Sequence, residues 1–307
     1  MRFCLARQVG RHAEVALVAS EKSIVSTPSL NRRAFARTGR WTQDYEPDGT
    51  VKRAEERLAV YNGEIFGALH TKFARSGTPV DFLLAEDLGR YAGDYRLYVF
   101  LNQLTFDDSV REAVERIRAR GATILWLYAP GWSKGNSLAD MKALTGIEFE
   151  RIAEPTVAGV KMEDDGRWMG MPDAQVAQAF APVAADEVLG VYANGKPGLT
   201  VSTVDGSPSY FSGAWQLDIP FIRSLAAKAG VHVWCDSDDP IEANDALFTL
   251  HARTAGAKTV RLPRRTTVVD LVGRRVVARD TDVFSFDAAL HSTHLFYYGD
   301  DAEEFLR

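Results

Sequence analysis

Glu86 and Asp87 close an apolar run, Val80 to Ala85 (VDFLLA), and Asp236 opens the acidic run Asp236-Ser237-Asp238-Asp239 directly after another, Val231 to Cys235. Two carboxylates about 5–10 Å apart define glycoside hydrolysis, one acting as acid and the other as base or nucleophile. Glu86, Asp87 and Asp236 are therefore the candidate catalytic groups. Asp87 has a structural alternative, as the cap of a short helical turn at Leu88-Gly89-Arg90. Asn102 and Gln103 end the next strand-like run, where their amides either hydrogen-bond a ligand or satisfy loop backbone.

In an open α/β sheet a nucleophile sits on a sharp strand-to-helix turn at the strand's carboxyl end. That turn here reads Trp126-Leu127-Tyr128-Ala129-Pro130-Gly131-Trp132, without Ser, Cys or Asp. Ala129 offers no reactive atom and Pro130 no amide for an oxyanion, so the elbow is expected to keep its shape and lack the chemistry. Tyr128 and Trp132 remain as an aromatic wall for a sugar or a partner.

Metal chemistry finds little purchase. His291 and His294 stand three residues apart, and within a strand such positions point to opposite faces. His251 reads as an edge or core histidine. The run at 236–239 supplies hard oxygen ligands but lacks the EF-hand spacing, and a solvated interdomain turn ended by Pro240 accounts for it. No metal centre and no cofactor are expected.

These residues need elements to position them. HAEVALVAS (12–20) reads as a buried strand, followed by a long connection over 21–52 with no clear period. Ala54, Leu58, Tyr61, Ile65, Leu69 and Phe73 mark an amphipathic helix stopping at Gly77. Strands follow at 80–85, 95–101 and 122–128. The last two flank a helix over 107–120, with Thr105 and Asp108 placed as a capping box and Val110, Val114 and Ile117 on one face. A second helix is expected from Ser137 to Leu144, ended by Gly146, and a third from Asp218 to Ala229, ended by Gly230. Between them 147–215 turns strand-like, with Asn194-Gly195 suited to a hairpin. After Pro240 come short β runs, ALFTLHAR, KTVRLP, TTVVDLVG, RRVVAR, VFSFDA and THLFYY, punctuated by Gly256, Pro263 and Gly273. Apolar strands separated by helices argue a parallel sheet covered on both faces, and the terminal runs a small antiparallel sandwich or barrel. The boundary falls at residue 238, giving an α/β domain over 1–238 and an all-β domain over 239–307.

Composition narrows the class of function. The 307 residues are 46% hydrophobic and 25% charged, which suits a folded chain of about two domains at roughly 100–200 residues each. With 36 Lys+Arg against 41 Asp+Glu and no dense basic run, no footprint for nucleic acid exists. No stretch reaches the roughly 18 apolar residues of a membrane span, and the opening residues Met1 to Gln8 break off before a secretory core, so the chain reads as soluble without a signal peptide. Cys4 and Cys235 could form one bridge, and two free thiols are the expectation.

Three runs carry a family resemblance: PVDFLLAEDL (79–88), DYRLYVFLNQL (94–104) and ILWLYAPGW (124–132). Together they resemble the class I glutamine-amidotransferase-like domain that follows the catalytic barrel in family 42 β-galactosidases and related glycosidases. GVHVWCDSDDPIEAN (230–244), KTVRLP (258–263) and LHSTHLFYY (290–298) are similar to the continuation of such proteins into a small β-domain. The resemblance implies a flavodoxin-like α/β fold without the amidotransferase cysteine, known in family 42 as the trimerisation domain. It transfers no catalytic residue. The family's two carboxylates sit on a (β/α)8 barrel, and about five β/α units are legible here against the eight a barrel needs in roughly 250 residues.

The leading expectation is thus a non-catalytic, glycoside-hydrolase-associated module that forms homo-oligomers or packs on a catalytic barrel. One alternative is a stand-alone hydrolase, glycosidase or esterase-like, with a new site built from Glu86, Asp87, Asn102, Tyr128, Trp132 and Asp236. The other is a carbohydrate-binding module, whose sign would be exposure of Trp41, Trp132, Trp215 and Trp234.

Overall fold

The computed structural model describes residues 13–26, 68–91, 95–154, 156–176 and 178–306. Most of the connection over 21–52, the helical stripe from Ala54 to Ile65, and Cys4 and Trp41 lie outside them. The described residues gather into two compact units, one from 13–15, 71–81 and 219–306, the other from 16–26, 68–70 and 82–218.

The second unit is built on a nine-stranded sheet in the order β2-β1-β3-β4-β11-β10-β9-β6-β7. Its strands β1 (Val15–Ala19), β3 (Leu97–Phe100) and β4 (Thr123–Leu127) are buried at every position. That follows from their unbroken apolar runs, which suit strands covered on both faces. β2 (Val80–Leu84) lies at the edge and exposes Phe82 and Leu84. The pairs β3–β4 and β4–β11 are parallel, with β11 spanning Ser207–Ser212. Beyond β11 the sheet turns antiparallel through β10 (Pro197–Val204), β9 (Glu187–Val191), β6 (Thr156–Met162) and β7 (Trp168–Val176). The strand-like stretch after residue 147 thus completes a mixed sheet. β5 (Phe149–Ile152) and β8 (Ala179–Pro182) pair separately.

The helices are α1 (Glu21–Ser26), α2 (His70–Ala74), α3 (Leu88–Tyr91), α4 (Asp108–Ala119), α5 (Trp132–Gly135), α6 (Leu138–Thr145) and α7 (Ile219–Lys228). α4 buries Val110, Ala113, Val114 and Ile117, the face its spacing announces. Its cap differs from the expected Thr105–Asp108 box. Asp107 accepts from the Val110 amide at 3.1 Å, whereas the Thr105 amide is bound by Ser23 Oγ. α6 begins at a Ser137 side-chain cap and ends at Gly146 in the left-handed region.

The first unit carries a five-stranded antiparallel sheet, β12-β13-β16-β14-β15, built from residues after 239. β12 (Ile241–Ala243), β13 (Leu247–His251) and β16 (Thr293–Gly299) are short, while β14 (Gly256–Asp270) and β15 (Arg275–Ala288) form one long hairpin. Pro263 does not separate two strands as expected. It lies within β14 where the register with β15 shifts between Arg261 and Thr266, and a bulge tolerates the amide that proline lacks. Trp234, Phe248, Phe284, Phe296 and Tyr298 pack into the core of this unit. The expected strand over 231–235 does not form. Cys235 makes an isolated bridge to Val260 instead. Among the described residues no helix is long and apolar enough to cross a membrane.

Candidate functional site

Two groups of side chains gather where β1, β2, β3 and β4 end. The first joins Ser20, Glu86 and Asn102. Asn102 is fully buried, accepts the Ser20 amide at 2.8 Å and donates Nδ2 to the Ser20 carbonyl at 3.3 Å, fastening the exit of β1 beside that of β3. Glu86, in the 3-10 turn Ala85–Asp87 after β2, accepts from the Lys22 amide at 3.2 Å and the Glu21 amide at 3.4 Å. Its carboxylate thus meets the positive end of α1. Lys22 pairs with Asp107, and that ammonium holds the Asp107 carboxyl well below the usual carboxylate range, helped by the Ser109 hydroxyl.

The second group surrounds the turn after β4. Tyr128 carries φ +65°, a left-handed conformation that is a true outlier for a bulky residue and costs on the order of 1–3 kcal/mol. The strained elbow position is therefore Tyr128, one residue before the expected Ala129. Its amide donates to the Ser212 carbonyl at 2.8 Å and its hydroxyl to the Gln178 carbonyl at 3.0 Å. The ring meets Trp215 edge-on at 5.3 Å and Phe180 at 6.4 Å, and Trp132 tilts onto Phe180 at 4.8 Å. Tyr192 donates to the Phe180 carbonyl at 2.9 Å, and burial pushes its phenol far up from its ordinary value.

Gly131 completes the elbow at φ +79°. A Cβ there would press to 3.0 Å on the Asp140 carbonyl and 3.1 Å on the Phe106 ring, and the Gly131 amide donates to the Gln103 carbonyl at 2.7 Å. Gln103 is itself buried and donates Nε2 to the Thr105 carbonyl at 2.7 Å. The Asn102 amide thus bonds backbone through both of its atoms, and Gln103 does so through Nε2. The Tyr128 hydroxyl, aimed at a carbonyl rather than at solvent, is held as a structural donor. Replacing Tyr128 by phenylalanine is expected to cost about 1 kcal/mol in urea unfolding with an unchanged circular dichroism spectrum, because one hydrogen bond is lost and the ring is kept.

The remaining candidates are placed elsewhere. Asp87 is half-exposed and lies 3.9 Å from Arg90 three residues on, a weak surface pair. Asp236 belongs to the other unit, and because 231–235 forms no strand it does not follow one as expected. There each acidic side chain has its own cation: Asp236 is 3.4 Å from Arg261, Asp238 2.9 Å from Arg223, and buried Asp239 2.6 Å from Lys258. Among the described residues no cluster of three or more His, Cys, Asp or Glu could hold a metal. Trp215 and Trp234 are core residues at 3% and 1% exposure, contrary to the exposure a carbohydrate platform requires of them. Among the described residues the exposed tryptophan is Trp168 on edge strand β7, at 41%, which sequence reading missed. Strand alternation would have flagged it, had β7 been separated from its neighbours.

An α/β sheet followed in the chain by an antiparallel β unit is an arrangement that solved structures of β-galactosidases also contain. The structure matches a catalytic mutant of the GH42 β-galactosidase Gan42B from G. stearothermophilus with a TM-score of 0.59 and 17% identity, over 94% of this chain and 40% of that one. The β-galactosidase of Bacillus circulans sp. alkalophilus matches at 0.59 and 13%, over 95% and 42%. That of Halorubrum lacusprofundi matches at 0.56 and 16%, over 98% and 42%. The chain has the fold of the non-barrel portion of these β-galactosidases and spans about two fifths of their length. No protein-family profile and no curated protein matches it.

Proposed function

We propose that this chain is a non-catalytic module associated with glycoside hydrolysis, which acts by self-association or by packing on a catalytic barrel. In this reading an amidotransferase-like α/β domain runs to residue 238 and a small β-domain follows. The observation that carries it is the elbow after β4, where Tyr128 occupies the strained position with its hydroxyl bound to the Gln178 carbonyl. A nucleophile needs an exposed reactive atom beside a base, and this turn offers neither. Glu86 supports the same reading, since its carboxylate is occupied by the first amides of α1. The likeness in fold to β-galactosidases supplies the glycosidase context.

Light scattering on the eluting protein and assay on a chromogenic β-galactoside test this together. The expected result is a mass that is a multiple of the single chain, with no turnover. A monomer that also fails to bind an isolated family 42 barrel would reject the association role. Turnover abolished by Glu86→Gln would reject the non-catalytic reading and favour the stand-alone hydrolase.

A further inference from the structure

His251 ends β13, and its exposed ring is fixed by Nδ1 at 2.9 Å from Thr293 Oγ1 on the facing strand. His291, in the turn between β15 and β16, adopts φ +62°, the left-handed region that histidine enters more readily than most side chains. Its backbone is pinned from both sides. The His291 amide donates to the Ala252 carbonyl at 2.8 Å, and the Ala252 amide donates to Ser292 at 2.8 Å. The Ser292 hydroxyl closes the turn on the Ala289 carbonyl at 2.6 Å. This turn brings the His291 ring to 6.4 Å from the His251 ring, centroid to centroid, with planes only 23° apart. His294, the partner that spacing alone would suggest, faces elsewhere. It lies against Phe286 at 4.6 Å, with Nε2 at 2.8 Å from Ser292 Oγ.

We propose that His251 and His291 form a two-imidazole site for a borderline divalent transition cation, Zn²⁺, Ni²⁺ or Cu²⁺, with water completing the coordination. A metal–nitrogen bond of about 2.0–2.1 Å places an ion roughly 3.2 Å from each ring centre, so two rings sharing one ion stand at most about 6.4 Å apart and about 5 Å in tetrahedral geometry. The observed separation is at the outer limit of that range, and rotation of the exposed His291 side chain closes it while His251 stays on Thr293. Thr293 adds the outer-shell partner that a ligating histidine characteristically has: by accepting the Nδ1 proton it would leave Nε2 free to bind. Two imidazoles without a carboxylate select against Ca²⁺ and Mg²⁺, and Cu²⁺ should bind most tightly of the three ions.

Untagged protein titrated with NiCl₂, ZnCl₂ and CuCl₂ by calorimetry, with imidazole NMR in parallel, tests the site. One equivalent is expected, moving the His251 and His291 resonances while those of His232 and His294 stay in place. His251→Gln should weaken binding at least tenfold. His291→Asn should do the same while keeping the turn, because asparagine tolerates the left-handed region. Thr293→Val should weaken binding less than either. Unchanged affinity in His291→Asn, movement of other histidines, or no binding at all would overturn the assignment.

Discussion

Replacing Lys258 by methionine is expected to destabilise the antiparallel unit by about 3–5 kcal/mol, the cost of leaving one charge of a buried pair uncompensated. Asp239 and Lys258 are 1% and 4% exposed and 2.6 Å apart. Asp239 also accepts the Arg253 amide at 2.7 Å, and Lys258 donates to Thr254 Oγ1 at 2.9 Å. Burial alone would raise the Asp239 carboxyl. The bonds from the Lys258 ammonium, the Ser237 hydroxyl and the Arg253 amide outweigh it and hold the group below its ordinary value. Because the folded value lies below the unfolded one, this carboxylate's stabilisation is complete above about pH 4 and drains as pH falls through the folded value.

Without Lys258 the sign reverses. Burial then dominates, the folded value rises above the unfolded one, and the penalty is full at neutral pH but relieved as acid protonates the carboxyl. Urea unfolding at pH 7 and pH 4 should therefore show the deficit of the Lys258→Met protein shrinking on acidification. The double variant with Asp239→Asn should lose less than the single one at pH 7. A deficit that does not change with pH would mean that lost packing of the lysine stem, rather than the orphaned carboxylate, sets the cost.

Local signals with a single physical meaning were legible in the amino-acid sequence. Ser137 and Gly146 bracket α6 because a hydroxyl cap and a left-handed glycine are needed at those two places and nowhere between. Asn194-Gly195 likewise marks the turn between β9 and β10. Signals that depend on tertiary partners were not legible. VHVWC at 231–235 has the composition of a strand, yet its tryptophan is drawn into the core of the antiparallel unit and only Cys235 finds a bridge. Pro263 looks like a break because the bulge that accommodates it is a property of the β14–β15 pair, not of either strand. The candidate site shows the same division. The lack of Ser, Cys or Asp at the elbow was readable directly, whereas the strain at Tyr128 is a backbone angle that its side chain gives no reason to expect. The pairing of His251 with His291 requires knowing that β13 and β16 are neighbours, forty residues apart in the chain.

Gly77→Ala is expected to be severely destabilising, at about 3 kcal/mol or more. Two independent costs meet at this residue. Its φ of +85° lies where an L side chain meets its own backbone, a penalty of roughly 1–2 kcal/mol. A Cβ there would also overlap the carbonyl oxygen of Cys235, which is main chain and has no rotamer to give. The same stretch is fastened by the Trp234 amide donating to the Gly77 carbonyl at 2.8 Å, and by Arg223 donating to the Ser76 carbonyl at 3.1 Å. Moving Cys235 aside would loosen these bonds and disturb Trp234, which stacks on Phe248 at 5.7 Å. Overpacking of this kind typically costs about 1–3 kcal/mol beyond the conformational term. Gly121→Ala separates the two contributions, because Gly121 has a similar φ of +73° and nothing within 4 Å of its would-be Cβ. That variant should lose about 1 kcal/mol in urea unfolding and Gly77→Ala far more. Equal losses would show that the backbone around Cys235 yields, and that the left-handed angle alone accounts for the glycine.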